Sequence, residues 1–283
     1  MYFLSNSSLK IHILDPLVDE ARLGWRYCTG GYIYQVEDAR HGPLLSGPEF
    51  PATYPAVTNG QGLPEVFQFT LYHDEREIEQ KKLIIGVGLV DKRDAAQPYH
   101  LFTNAQILSF CNWEVEQGDA HLRFETAQTF KHWSFRLIRE VGLHERSVRS
   151  RTTLQNIGDT PVPFRWFAHP FFPLASDHRC CRLAGLTSLP ENPGFKLDGA
   201  GCIVMNPEHT WREGCYLKFA HLNGASLEAW QRHDLLGEIY VTCDFPLSDV
   251  AIWANDKTFA FEPFYQDTVL SRQEKRWAMH YYF

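Results

Sequence analysis

A histidine at the end of an aromatic run is the first residue whose type and setting could do chemistry. His169 follows residues 164–168, Phe-Arg-Trp-Phe-Ala, and directly precedes Pro170. Because proline restricts the residue before it and ends or bends a strand, we expect the imidazole at a strand end. An imidazole gains or loses a proton near neutral pH, so His169 could serve as an acid or a base. The alternative is a packed histidine that makes one structural hydrogen bond.

A carboxylate in apolar surroundings is the second candidate. Glu262 lies among aromatic and small apolar residues in the segment 258–264, and it also directly precedes a proline. Burial of a carboxylate is costly unless the group is hydrogen-bonded or paired. Either the ionisation of Glu262 is useful, or the residue accepts backbone N–H bonds or pairs with an arginine such as Arg26 or Arg165.

The elements that position these two residues read as β-strands. Apolar residues recur with a period of two between Gly, Pro, Asn and Asp, and helix-period stripes longer than two turns are hard to find. A turn is expected at 156–161, and the pair of strands before it is expected to join near Gly142. The predicted strands cover residues 10–14, 31–36, 122–130, 133–140, 143–155, 162–168 and 275–283.

Length and composition favour one all-β domain over residues 1–283. The chain has 283 residues and 44% hydrophobic content, enough for a large core, and it contains no fixed-period repeat or Ser/Gly linker. Its aromatic share of 14% suits pleated surfaces, where flat side chains pack well.

Charge and patterning exclude several classes of partner. With 34 acidic and 27 basic residues the net charge is −7, which repels nucleic acid. No apolar run is long enough to span a bilayer and the first residues lack a secretory pattern, so we expect no membrane partner and a cytoplasmic location. The seven cysteines include no C-x-x-C pair, so no metal site is expected. The oligomeric state stays open.

Two segments resemble a known superfamily. Residues 149–164, followed by 166–172, resemble the central segment of the aldose 1-epimerase, or galactose mutarotase-like, superfamily, in which a turn leads into a strand that ends in a histidine. Residues 252–263 resemble its second signature, a glutamate ahead of a closing strand. The resemblance implies a large antiparallel β-sandwich with an open sugar groove on the concave face of one sheet.

The same resemblance implies an acid–base role for each residue. Glu262 matches the base that takes the proton from the O1 hydroxyl, and His169 matches the acid that protonates the ring oxygen. The ring opens to the aldehyde, rotation about C1–C2 follows, and closure from the other face inverts the anomer. Two proton transfers are sufficient, so no cofactor is expected and the partner is a sugar, either a hexose or a modified hexose.

Other sugar contacts depart from the family pattern. The family's Asn-Arg stretch and His-Gly-Gly turn are absent, and residues 58–67 stand in that region. Asn59 and Glu65 could line the groove there and bind hydroxyls, although an ordinary Gly-rich turn is the alternative. Trp253 could stack on the sugar or could pack in the core.

Two readings compete with the mutarotase. One is a non-catalytic carbohydrate-binding or sensing sandwich that retains the groove. The other is an interaction module whose open edge strands pair with a protein partner.

Overall fold

The computed structural model describes residues 1–23, 25–45, 61–67, 81–92, 94, 105–219 and 226–283. Nearly all regular structure in these ranges is β-strand, which confirms the predicted all-β class. Two 3-10 helices, η1 (Glu20–Arg22) and η2 (Trp211–Glu213), are short. The strands are β1 (Tyr2–Ser5), β2 (Leu9–Ile13), β3 (Ile33–Asp38), β4 (Gly42–Pro43), β5 (Glu65–Phe67), β6 (Lys82–Ile84), β7 (Gly88–Asp91), β8 (Gln106–Phe110), β9 (Glu114–Gln117), β10 (His121–Phe130), β11 (Trp133–His144), β12 (Ser147–Asn156), β13 (Val162–Ala168), β14 (Phe172–Pro173), β15 (Arg179–Leu183), β16 (Phe195–Leu197), β17 (Cys202–Met205), β18 (Cys215–Phe219), β19 (Glu228–His233), β20 (Gly237–Cys243), β21 (Asp249–Ala254), β22 (Thr258–Val269) and β23 (Glu274–Tyr282).

The hairpin of β11 and β12 shows the predicted alternation of buried and exposed side chains, but its turn lies further along the chain than predicted. The odd-numbered residues of β11, from Trp133 to Leu143, are buried. The strand continues through Gly142, so the predicted turn near that residue is wrong. Gly142 faces the outer side of the sheet, where a missing side chain leaves no hole in the core. The chain reverses at residues 145 and 146 instead, where Glu145 has a φ of 50°.

Two antiparallel sheets form the body of the described structure. The larger has ten strands in the order β16-β17-β15-β19-β20-β23-β12-β11-β10-β9. The smaller has the order β18-β21-β22-β13-β5, with β14 also paired to β22. This pair of sheets is the large antiparallel sandwich that the resemblance implies.

The main hydrophobic core fills the space between the sheets. Trp277 of the ten-stranded sheet stacks on Phe164 of the six-stranded sheet, with 4.9 Å between ring centroids and 5° between ring planes. The ring of Trp166 meets the ring of Trp277 edge-on, with 5.7 Å between centroids. Burial of such large rings is the dominant stabilising term for a sandwich of this size.

The opposite face of the six-stranded sheet is covered by an early segment of the chain. Four buried apolar side chains of residues 14–23 and 25–32, here called the cap, pack on this face, whereas Trp25 and Cys28 of the same segment pack in the main core. The cap side chains contact residues of the smaller sheet whose neighbours in the strand point the other way, into the main core. The resulting second cluster contains Leu14, Leu23, Tyr27 and Tyr32 from the cap, and Val66, Phe167, Phe171, Ala251 and Phe264.

Two smaller sheets complete the described residues. One has the order β1-β2-β3-β4 and the other β6-β7-β8. Within the described ranges, no helix is long and apolar enough to cross a membrane.

Candidate active site

His169 is held by backbone hydrogen bonds just beyond the end of β13. Its own N–H donates to the carbonyl oxygen of Pro64 at 2.9 Å, and the N–H of Phe171 donates to Gly62 at 2.8 Å. Pro170 between them has no N–H to offer, which ends the regular pairing of the strand. The segment 62–64 therefore fixes the position of the imidazole.

Glu262 lies in the middle of β22 and points to the same face of the sheet. Side chains along β22 point alternately to the two faces of the sheet: Phe261 packs in the main core, and Phe264, which shares the face of Glu262, belongs to the cluster under the cap. His169 Nε2 and Glu262 Oε1 are 3.3 Å apart. The sheet thus brings together two residues that are 93 positions apart in the sequence.

Aromatic rings surround the pair. Phe171 stacks on the imidazole with 4.3 Å between ring centroids and 16° between planes. Tyr27 of the cap meets it edge-on at 6.5 Å, and Trp253 of β21 does so at 6.0 Å. His169 is 1% exposed and Glu262 is 4% exposed, so the face is closed at this point rather than forming the expected open groove.

Burial controls the protonation of both groups. Desolvation raises the pKa of Glu262 from 4.5 to about 7, and the Arg26 guanidinium opposes part of that rise. Desolvation, followed by the charge of Arg26, holds the pKa of His169 well below its usual range. In the closed site near neutral pH the carboxyl therefore keeps its proton longer than the imidazole does.

The pair can exchange protons with a ligand in either direction. At a pH between the pKa values of His169 and Glu262, the pair holds one proton, which lies on Glu262 in the closed site. Transfer of this proton from Glu262 to His169 gives the other one-proton form of the pair. The sequence-based expectation, a carboxylate base and an imidazolium acid, has the same total number of protons. The arrangement suits acid–base work on a hydroxyl-bearing ligand.

Comparison with known proteins decides the fold. No protein-family model and no curated protein matches the sequence. A galactose mutarotase related enzyme from Lactobacillus acidophilus matches with a TM-score of 0.61 at 13% identity, over 100% of this chain and 97% of that one. A galactose mutarotase-like protein from Lactobacillus casei gives 0.58 at 14%, over 100% and 99%. An aldose epimerase homologue from C. elegans gives 0.55 at 11%, over 99% and 98%.

The chain has the galactose mutarotase-like fold. This confirms the architecture that the resemblance implied. Within this fold, the candidate pair lies on the face of the smaller sheet that does not contact the larger one.

Trp253 lies at the site and Glu65 does not. Trp253 is half-buried, and its ring neighbours both His169 and Phe171. The predicted sugar contact of Glu65 is corrected, because its side chain points to the opposite face and is sealed between the sheets. There it pairs with Arg139 and accepts hydrogen bonds from Ser150 and Thr152. Asn59 lies outside the described residues.

Two aromatic residues at the site were not predicted from the sequence. Tyr27 and Phe171 form much of the wall around the imidazole. Phe171 has a usable signal, since it lies two positions after His169 and so faces the same side of an extended chain. Tyr27 has none, because it comes from a cap with no strand periodicity. The charge of Arg26, one of the two arginines considered for Glu262, acts on both members of the pair.

Other reactive groups in the described residues do not form a second centre. No cluster of three or more His, Cys, Asp or Glu side chains in these ranges could hold a metal ion. All seven cysteines are free thiols. Burial raises the pKa of the adjacent Cys180 and Cys181 well above the usual value, which keeps both thiols protonated and unreactive.

Proposed function

We propose that this protein is an aldose 1-epimerase-like isomerase that interconverts the anomers of a hexose or modified hexose. The single observation that carries the proposal is the 3.3 Å contact between His169 and Glu262 on the capped face of the smaller sheet. The likeness in fold to a galactose mutarotase related enzyme supports the same reaction class. A sugar is therefore the proposed ligand.

The chemistry needs one proton removed and one delivered. One member of the pair accepts the proton of the O1 hydroxyl while the other protonates the ring oxygen, and the C1–O5 bond breaks to give the aldehyde. After rotation about C1–C2, the ring oxygen adds to the other face of the carbonyl and both transfers reverse. Each residue is thus an acid in one half of the cycle and a base in the other.

Sugar entry requires the closed site to open. The O1 and ring oxygens of the sugar must come between the side chains of His169 and Glu262, which are in contact in the closed site. The cap covers both side chains. A displaced cap would let the sugar stack against Trp253, whose ring already borders the imidazole. Exclusion of water after closure would strengthen the hydrogen bonds of the pair to the sugar.

A non-catalytic sugar-binding protein is the second candidate. It is favoured by the burial of both side chains and by their direct contact, since a histidine and a glutamate that face each other in the interior need not exchange protons with a ligand. This candidate predicts sugar binding without faster anomer exchange.

Substitution of the pair separates the two candidates. The rate of α-glucose and α-galactose anomerisation, measured by polarimetry or NMR and corrected for the buffer rate, should exceed that of buffer alone. His169→Asn and Glu262→Gln should each lower the enzymatic rate by about 10²-fold or more, because each removes one proton-transfer partner. Circular dichroism should show both variants folded.

A matched control uses a carboxylate away from the site. Glu140 lies on the outer face of the ten-stranded sheet and pairs with Arg151 at 3.2 Å. Glu140→Gln should keep the wild-type rate. Wild-type protein that binds sugar but gives only the buffer rate would establish the non-catalytic candidate instead.

The proposed compartment is the cytoplasm. Seven free thiols fit a reducing environment, where structural disulfides are rare. Fractionation of cells that express a tagged chain would test this location.

A further inference from the structure

Tyr27 has a buried hydroxyl with no hydrogen-bond partner in the part of the chain that the structure describes. The residue is 2% exposed. Its ring is edge-on to His169 at 6.5 Å and to Phe171 at 6.4 Å between centroids. Native proteins leave few buried hydroxyls unsatisfied, because each such group costs free energy that a phenylalanine of the same shape would not. The hydroxyl is therefore a candidate for a contact with a ligand.

A neighbouring tyrosine in the same cap provides the contrast. Tyr32 is equally buried, and its ring lies 5.7 Å from that of Tyr27. Its hydroxyl donates to the backbone oxygen of Gln61 at 2.8 Å. The fold thus satisfies one phenol of the cap internally, whereas the described residues offer no partner to the other, the one beside the imidazole.

A second unpartnered atom belongs to the same site. Within the described residues, His169 Nδ1 is buried and makes no hydrogen bond, while Nε2 of the same ring faces Glu262. A ligand with several hydroxyl groups could satisfy both atoms, since each hydroxyl can donate one hydrogen bond and accept others. An apolar ligand could satisfy neither.

We propose that Tyr27 is a substrate-contacting residue whose hydroxyl donates a hydrogen bond to one oxygen of a sugar bound between the cap and His169. The inference rests on the proposed function, which supplies the sugar. Burial raises the pKa of Tyr27 to about 12, with Arg26 lowering it and Glu262 raising it, so the phenol remains a protonated donor. Tyr27 would then discriminate between sugars that carry the contacted oxygen and analogues that lack it.

Stability in the absence of sugar is the first measurement. Tyr27→Phe removes a hydroxyl that bonds to no residue in the described ranges, so its urea midpoint should equal or exceed that of wild type. The matched variant Tyr32→Phe removes a hydroxyl that is bonded to Gln61, so its midpoint should fall. An equal fall in both variants would mean that Tyr27 has a structural partner, and the inference would be overturned.

Sugar affinity is the second measurement, by NMR titration with glucose, galactose and their singly deoxygenated analogues. Tyr27→Phe should weaken binding of the parent sugar at least about 10-fold, the scale of one buried hydrogen bond. For the one deoxy analogue that lacks the contacted oxygen, wild type and variant should bind equally. A uniform loss across the panel would point to a disturbed cap rather than a specific contact, and unchanged affinity would also refute the inference.

The outcomes keep this inference apart from the proposed function. If wild type anomerises sugars and Tyr27→Phe matches it in affinity and rate, only the inference about Tyr27 fails. If wild type binds sugars without anomerising them, the proposed activity fails and the affinity comparison still decides the role of Tyr27. If wild type binds no sugar in the panel, both fail.

Discussion

At the scale of single residues, the pair at the site works as one titrating unit. His169 and Glu262 are in contact and both are almost completely buried, so the charge of either one affects the other. In the proposed reaction, the form with one proton can start ring opening, because it contains one acid and one base. The form with none has no acid, and the form with two has no base.

This proton count predicts the pH dependence of the proposed reaction. The last proton of the pair leaves Glu262, whose pKa is about 7, so kcat/KM should fall as the pH rises through about 7. On the acid side the second proton goes to His169, whose pKa lies well below 6.5, so activity should persist below pH 6.5 before it falls. Polarimetric rates at constant ionic strength, with the buffer rate subtracted, would measure the profile.

A profile that increases through pH 7 would contradict this account. It would mean that an ionised Glu262 acts alone as the base and that solvent supplies the acid.

The sequence was informative at the residue scale where local context was sufficient. His169 and Glu262 both precede a proline inside apolar runs, and the structure brings the two together. Glu65 was misassigned because its partner is distant in sequence: Arg139 lies 74 positions away. A signal did exist, since Arg139 occupies one of the odd-numbered, core-facing positions of β11, where a buried cation requires a carboxylate.

At the scale of elements, the Glu65–Arg139 ion pair joins strands that no backbone ladder connects. Glu65 lies in β5 of the smaller sheet, whereas Arg139 lies in β11 of the larger one. The backbone oxygen of Glu65 also accepts the N–H of Cys28 in the cap at 2.8 Å. One residue therefore couples both sheets to the segment that covers the site.

Loss of one partner of this pair should be costly. Arg139→Met leaves the Glu65 carboxylate buried without its cation, so the free energy of unfolding should fall by about 3–5 kcal/mol. The matched variant Arg151→Met removes one side of the half-exposed pair with Glu140, and its loss should stay below about 1 kcal/mol. Urea denaturation of both variants would test the difference, and similar losses would refute the role assigned to the buried pair.

Strand positions were largely predictable from the sequence, and the cap was not. The alternation of apolar residues predicted the strand at 162–168 with its observed bounds. By contrast, the cap contains only a three-residue 3-10 helix and otherwise irregular backbone, so no period marks which of its side chains face the sheet. Its contribution to the site depends on tertiary packing alone.

At the scale of the whole molecule, the ten-stranded sheet depends on its last strand. β23 lies between β12 and β20, and its register pairs nine residues with β12 and four with β20. It also carries Trp277, which packs against the smaller sheet. The two halves of the sheet, β9–β12 on one side and β15, β16, β17, β19 and β20 on the other, meet only through this strand in the described structure.

Removal of β23 should therefore abolish cooperative folding. A chain that ends at residue 273 should show no sigmoidal urea transition, since it loses both ladders and a central core ring. A chain that starts at residue 6 lacks β1, which pairs only with β2 in the described sheets, and should still unfold cooperatively at a lower midpoint. A cooperative transition in the first chain would contradict the central role of β23.

The position of β23 also has a consequence for synthesis in the cell. Until residues 274–282 leave the ribosome, β12 and β20 each present an unpaired edge, and such edges can join other nascent chains. Translation speed and chaperone supply should thus affect the yield of folded protein most strongly until β23 has emerged.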